Sequence, residues 1–201
     1  MKQLIQDIAK KRIILLDGAM GTYIQNMSLD EEKFRGSRFG NSKISLKGNY
    51  DILNLTNPEI IYEIHKLYLE SGADIIKTNT FNSTSTSQID YGCENLSYEL
   101  NFESARIAKQ AVYDFEKNNK NSQRFVAGVI GPTNRTCSMS PDVNRPDFRN
   151  ISFDELKRDY FLSFSGLIEG GCDIILVETI FDTLNAKAAL FAKIEFEKKF
   201  K

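Results

Sequence analysis

Two stretches of this chain follow one template. Gly72-Ala73-Asp74-Ile75-Ile76-Lys77-Thr78-Asn79-Thr80 and Gly171-Cys172-Asp173-Ile174-Ile175-Leu176-Val177-Glu178-Thr179 each run from a glycine, through an aspartate and a short β-branched segment, to a polar end. A helix-stopping glycine followed by an apolar run too short for another helix reads as a strand entered from a helix. Strands that alternate with helices form a parallel sheet joined by right-handed crossovers, so the repeat restricts the chain to an α/β architecture. It also puts Asn79 and Glu178 at equivalent carboxyl ends of their strands, where parallel α/β folds build their sites. Side chains alternate along a strand, so Ile75, Lys77 and Asn79 share one face, as do Ile174, Leu176 and Glu178. Lys77 on that face is either an ionic partner or a sign that the faces are assigned the wrong way round.

The remaining segments fit the same alternation. Residues 13–16 (Ile-Ile-Leu-Leu) form an apolar run ending in Asp17-Gly18, which predicts a first strand buried on both faces. An amphipathic helix over residues 1–11 precedes it and is expected to plug or cover something. Residues 22–54 are polar, irregular and longer than most connections, as functional or mobile loops are. Asn57-Pro58-Glu59 is a helix start, with Asn as cap and Pro at the first helical position. Ile60, Ile61, Ile64, Leu67 and Tyr68 then recur at helical spacing. A helix over residues 98–115 leads to a third strand at residues 125–130. Ser152-Phe153-Asp154-Glu155 has the spacing of a capping box, and Asp182 is placed to cap the last helix. The total is one domain over residues 1–201, with four strands each followed by a helix.

Composition narrows the function. With 26 Lys and Arg against 27 Asp and Glu, the formal charge of -1 gives no electrostatic reason for nucleic acid or an anionic membrane as partner. No apolar run is long enough to span a bilayer and no signal peptide is visible, so a cytosolic protein is expected. Cys93, Cys137 and Cys172 are too scattered for a disulfide framework, and no CxxC pair marks a metal site. The single histidine, His65, excludes a His-metal cluster or a Ser-His-Asp triad and is expected on a helix surface. Cys137 is expected on the rim after the third strand, without a base to activate it.

Four strand ends converge on one rim: Asp17 with Gly18 and Gly21, then Asn79, then Thr133-Asn134, then Glu178. Two carboxylates, an amide and glycine-rich backbone amides suit a zwitterionic amino acid, the carboxylates for its ammonium and the N–H groups for its carboxylate. The same acids also read as caps, as ion-pair partners of Lys77 or Arg135, or as the acid and base of a hydrolase. DGAMGT lacks both GxGxxG spacing and a GK[ST] ending, which argues against a nucleotide site.

Longer motifs carry a resemblance. LLDGAMGT, FRGSRFG, LKGNYDILNLTNPEII, SGADIIKTNTFNST, VAGVIGPTNRT with SPDVNRPDFRNISFDEL, and GGCDIILVETIFDTLNAKAAL occur in order from about residue 13 to residue 192. Together they resemble the amino-terminal homocysteine-binding domain of cobalamin-dependent methionine synthase, in the homocysteine S-methyltransferase family. The long GPTNRT and SPDVNRP segment is similar to the cobalamin-dependent branch.

The resemblance implies an eight-stranded β/α (TIM) barrel of which about the first four β/α units are present, a half barrel. It implies that Asp17 and Glu178 engage the ammonium of homocysteine, that Gly18 and Ala19 amides lie near its carboxylate, and that Asn79 and Asn134 are rim contacts. In the complete family enzyme a zinc held by three cysteines binds the homocysteine thiolate, and a cobalamin module supplies the methyl group. The cysteine motifs of that zinc site are absent from this chain, which implies no catalytic or metal-ligating residue here and an inactive isolated chain. A free thiol with pKa near ~8.5 is mostly protonated at neutral pH, so methyl transfer to sulfur lacks its nucleophile. A half barrel also leaves two edges and an inner face open, so marginal stability or self-association is expected. The alternatives are an inactive half barrel that binds an amino acid or assembles with a complementary chain, and a small open-sheet protein with an unrelated ligand at the same rim.

Overall fold

The computed structural model describes residues 4–120 and 122–199. Its helices are α1 (Ile5–Ala9), α2 (Met20–Asn26), α3 (Glu31–Arg35), α4 (Leu53–Thr56), α5 (Pro58–Glu70), α6 (Ser85–Gln88), α7 (Ser97–Asn118), α8 (Phe153–Glu169) and α9 (Thr183–Lys199). β1 (Ile75–Lys77), β2 (Phe125–Ile130) and β3 (Ile174–Val177) form a parallel sheet in that order. Lys77 pairs with Ala127 and Ala127 with Ile174, so the template's Ile174 sits level with Lys77 and not with its counterpart Ile75. A stagger of this kind is how barrel strands tilt.

The template is a structural repeat. Gly72 and Gly171 have φ of +99° and +98°, a conformation that costs a side chain and suits glycine. Each ends its helix in the same way. Gly72 and Ala73 N–H donate to Leu69 and Tyr68 carbonyls, and Gly171 and Cys172 N–H donate to Ile168 and Leu167 carbonyls. The aspartates that follow also behave alike. Asp74 accepts from Leu15 N–H (3.0 Å) and binds Arg12 through both oxygens (2.6 and 2.7 Å). Asp173 accepts from Val126 N–H (2.8 Å) and Lys109 Nζ (2.9 Å to each oxygen). Each carboxylate pins the start of its strand to the strand before it.

The expected first strand needs correction. Residues 13–16 form only a single parallel bridge, Leu16 to Ile75, so the four-strand half barrel becomes three strands and a bridged edge segment. Ile13 is 81% exposed, and Leu15 and Leu16 are about half exposed. Among the described residues the segment pairs on one side only, and its Leu15 N–H is taken by a carboxylate in place of a ladder carbonyl. α1 lies beside the sheet without burying any of its own residues: Ile5 and Ala9 line an open cleft with Ile14, Leu16, Ile75, Ala127, Ile174 and Leu176. Residues 1–3 of that predicted helix lie outside the described residues.

The segment expected to be irregular is a packed layer. Ile24, Phe34, Leu46, Ile52 and Leu53 are buried against Ile61 and Ile64 of α5 and Leu100 and Ile107 of α7. α5 starts as expected at Pro58, but the Asn57 side chain does not cap it and donates to the Lys33 carbonyl instead. His65 also needs correction. The buried stripe of α5 runs through Ile61, Ile64, His65 and Leu69, so the imidazole is fully buried while Leu67 is 44% exposed. The capping box of Ser152 and Glu155 forms, and Asp182 accepts from the Leu184 and Asn185 amides at the start of α9. α8 and α9 pack on β2 and β3 around Tyr160, Phe164 and Leu167. Cys137, expected on the rim, is buried in that cluster. Among the described residues β3 pairs only with β2, and Phe181 and Phe191 are more than half exposed beyond it. No helix among these residues is long and apolar enough to cross a membrane.

Candidate functional site

A cavity of about 420 Å³ opens at the carboxyl ends of the strands, within the usual size of a small-ligand site. Its walls include Asp17, Gly18, Ala19, Lys77, Asn79 and Glu178. The inward face assigned by alternation is correct: Ile75, Ile174 and Leu176 line the lower cleft, and Lys77 and Glu178 line the upper cavity.

Asp17 is set by the bridged edge segment. Its N–H donates to the Ile75 carbonyl (3.0 Å), and its Oδ2 accepts from the Lys77 N–H (2.8 Å). Oδ1 is buried with no partner among the described residues. Burial raises the Asp17 pKa to about 7; Lys77 opposes the rise and Glu178 adds to it. Glu178 is set by the extension of β3, where its N–H donates to the Ile130 carbonyl (3.1 Å). The ladder stops there because Thr179 turns into the left-handed region at φ 62°, which is strained for a β-branched residue and commonest where function demands it. The Lys77 ammonium meets Glu178 Oε1 at 3.4 Å.

Asn79 lines the cavity with its amide already engaged. Nδ2 donates to the Tyr50 carbonyl (2.8 Å) and to Asn54 Oδ1 (3.3 Å), which brackets the segment after the long loop to the end of β1. Asn134 lies apart from the cavity and donates to Asp90 Oδ2 at 2.7 Å. Ala19 precedes α2 with no side-chain cap on the first-turn amides, and its carbonyl accepts from Tyr68 Oη.

Sequence reasoning missed Tyr50, Asp51, Phe81 and Asn82, which also line the cavity. Asp51 is a third carboxylate. It accepts from Asn82 N–H (2.9 Å) and Ser83 Oγ (2.7 Å), yet complete burial still raises its pKa to about 6. It holds the loop that follows β1. On the other side of that loop Gly131 lies so close to the Phe81 carbonyl that a Cβ would collide with it. No local pattern announces these contacts; only NYD before an apolar run hints at an acid near a helix start.

The zinc implied by the resemblance finds no fitting ligands among the described residues, where no three His, Cys, Asp or Glu side chains gather to hold a metal. Cys93 and Cys137 are buried in different clusters. Burial pushes all three thiols up, Cys172 to about 12, the opposite of what a thiolate ligand needs.

A small parallel sheet of three strands covered by helices, with acids gathered at its carboxyl end, makes an α/β domain consistent with part of a β/α barrel. Residues 14–200 match the sequence model described as homocysteine S-methyltransferase, and the chain belongs to that family. Among solved structures it is similar to the homocysteine methyltransferase MmuM from Escherichia coli. The metallated form matches at 21% identity and TM-score 0.73, over 96% of this chain and 63% of that one. The oxidized form matches at 21% identity and TM-score 0.72, over 96% and 62%. The apo form matches at 20% identity and TM-score 0.65, over 94% and 58%. The chain thus spans less than two thirds of the structures it resembles, and at this identity the likeness is one of fold.

Proposed function

We propose that this chain is the amino-acid-binding part of a homocysteine S-methyltransferase of the methionine synthase type. Asp17 and Glu178 would take the ammonium of homocysteine, and the Gly18 and Ala19 amides would lie near its carboxylate. Asn79 would act through the wall it holds, and Asn134 would contact the substrate only after leaving Asp90. The observation that carries the reading is the pair of carboxylates from non-adjacent segments in one cavity, one with a buried oxygen that lacks a donor. An ammonium supplies that donor together with the charge that an incompletely ionised carboxylate favours.

The motifs from GPTNRT to SPDVNRP favour the cobalamin-dependent branch, in which a separate module delivers the methyl group. The residues of this chain would bind and orient; no thiolate-activating metal cluster is present among the described residues, so the chain alone is expected not to transfer methyl groups.

Calorimetric titration of the purified chain with homocysteine and with methionine, with and without zinc, tests this. Weak metal-independent binding of both, lost in Glu178→Gln, is expected. No binding of either amino acid overturns the reading, and methionine formation by the chain alone overturns its inactivity. A second reading, assembly with a complementary chain, is favoured by the half-exposed Leu15 and Leu16 on the bridged edge segment and Phe191 on α9.

A further inference from the structure

Among the described residues lining the acid cavity, Lys77 is the only Lys or Arg. It touches both carboxylates: its amide donates to Asp17 Oδ2 at 2.8 Å and its ammonium meets Glu178 Oε1 at 3.4 Å. The two contacts differ in quality. The first has an ordinary length, whereas the second is longer than the ~2.7–2.9 Å of a charge-assisted N–H···O bond. An ammonium has three donors, and the contact to Glu178 is long for one of them. In the same cavity wall, Asp17 Oδ1 is buried without a partner among the described residues.

We infer that Lys77 is a tethered stand-in for the substrate's ammonium: its side chain holds Glu178 in the empty site, and the amino acid enters by displacing it. This rests on the proposed function and adds a determinant of affinity to it. Lys77 is anchored in β1 level with Ala127 and Ile174, below Glu178 in register, so its ammonium meets Glu178 from a backbone fixed lower in the sheet. A free ammonium has no such tether. It can bond Glu178 at short range and offer a second N–H to Asp17 Oδ1, which gives the exchange its direction. The same contact lowers apparent affinity, because part of the population has Glu178 already occupied. A quaternary amine has no N–H for Asp17 and cannot displace Lys77 in this way.

The test is calorimetric titration of methionine and of 3-(methylthio)propylamine, which lacks the carboxylate, into the full chain and its Lys77→Met and Lys77→Arg variants. Lys77→Met is expected to tighten both ligands about fivefold, the scale of a partly exposed ion pair. Lys77→Arg keeps the cation and should stay near wild type. Unchanged affinities in Lys77→Met overturn the inference. So does weaker methionine binding with unchanged amine binding, which would make Lys77 the holder of the carboxylate. If the wild type and both variants bind neither ligand, the proposed function itself fails. Folding of Lys77→Met is checked by the Asp17 carboxyl resonance, whose titration midpoint must rise once the neighbouring cation is gone; an unmoved midpoint also overturns the inference.

Discussion

Replacing His65 by Leu isolates one buried base. The imidazole is fully buried on α5, neither ring nitrogen has a partner among the described residues, and burial alone pushes its pKa down to about 3. In the unfolded chain a histidine titrates near ~6.5. As pH falls through that value the unfolded state gains a proton that the fold refuses until about pH 3, so acidification destabilises the fold within that window. By pH 5 the loss is about 2 kcal/mol, and the full window corresponds to about 5 kcal/mol. Asp17 and Asp51 act in the opposite sense. Their folded values of about 7 and about 6 lie above the unfolded carboxylate, so the fold gains stability as pH drops through them. The raw pH profile therefore hides His65. The difference between wild type and His65→Leu does not, because no charged neighbour contributes to the histidine's shift and the carboxylate effects cancel. Leu also removes two unpaired buried nitrogens, so at pH 7 the variant is expected to match or exceed wild-type stability. Urea melts of both proteins at pH 7, 6 and 5 measure the gap, which should widen by about 2 kcal/mol between pH 7 and pH 5. A gap independent of pH would show that the imidazole titrates normally or has found a partner, and would refute the reasoning.

Other expectations concern the site and the template. Because Asp17 titrates near pH 7 in the empty cavity, a bound ammonium that ionises it should release about half a proton per ligand at that pH. Calorimetry in buffers of different ionisation enthalpy measures this, and Asp17→Asn should abolish the buffer dependence; a release unchanged in that variant assigns the proton elsewhere. Gly72→Ala meets no atom within 4 Å and carries only the backbone penalty of its φ, so a loss of about 1–2 kcal/mol is expected in denaturant melts. Gly131→Ala has the collision with the Phe81 carbonyl, so it should cost more than Gly72→Ala and weaken ligand binding by displacing the loop on the cavity wall. Equal losses for the two variants would mean that the loop yields freely.

What could be read from the sequence was what depends on a residue and its near neighbours. The glycine-aspartate template, the capping box at Ser152 and the Asp182 cap are local devices, and each forms as its spacing requires. Asp17 and Glu178 were legible because a strand end fixes height in a parallel sheet. Height is not direction, however. Asn134 stands at a strand end too, and its amide goes to Asp90, a partner supplied by a distant turn. For the same reason Tyr50, Asp51 and Phe81 were invisible: the walls of the cavity come from loops whose approach is decided by tertiary contacts. The run at residues 13–16 has the composition of a doubly buried strand. Composition cannot report how many neighbours a strand has, and with one neighbour this run forms one bridge.

Lys77 shows where local and tertiary logic meet. Alternation put a lysine on the inner face among aliphatic side chains, a conflict that either the face assignment or a partner had to resolve. The structure resolves it with a partner, since Glu178 lies across β2 within reach of the ammonium. A charge placed against the pattern is usually expelled or paired, because burying it alone costs several kcal/mol. Here the pairing is long and sits in a cavity whose other carboxylate keeps an unpartnered oxygen, so the conflict is only partly relieved. An incompletely satisfied ion pair at the carboxyl ends of parallel strands makes a poor contribution to stability. On the proposed reading it would make a workable binding site, because a small ammonium would complete bonds that the tethered one leaves unmade.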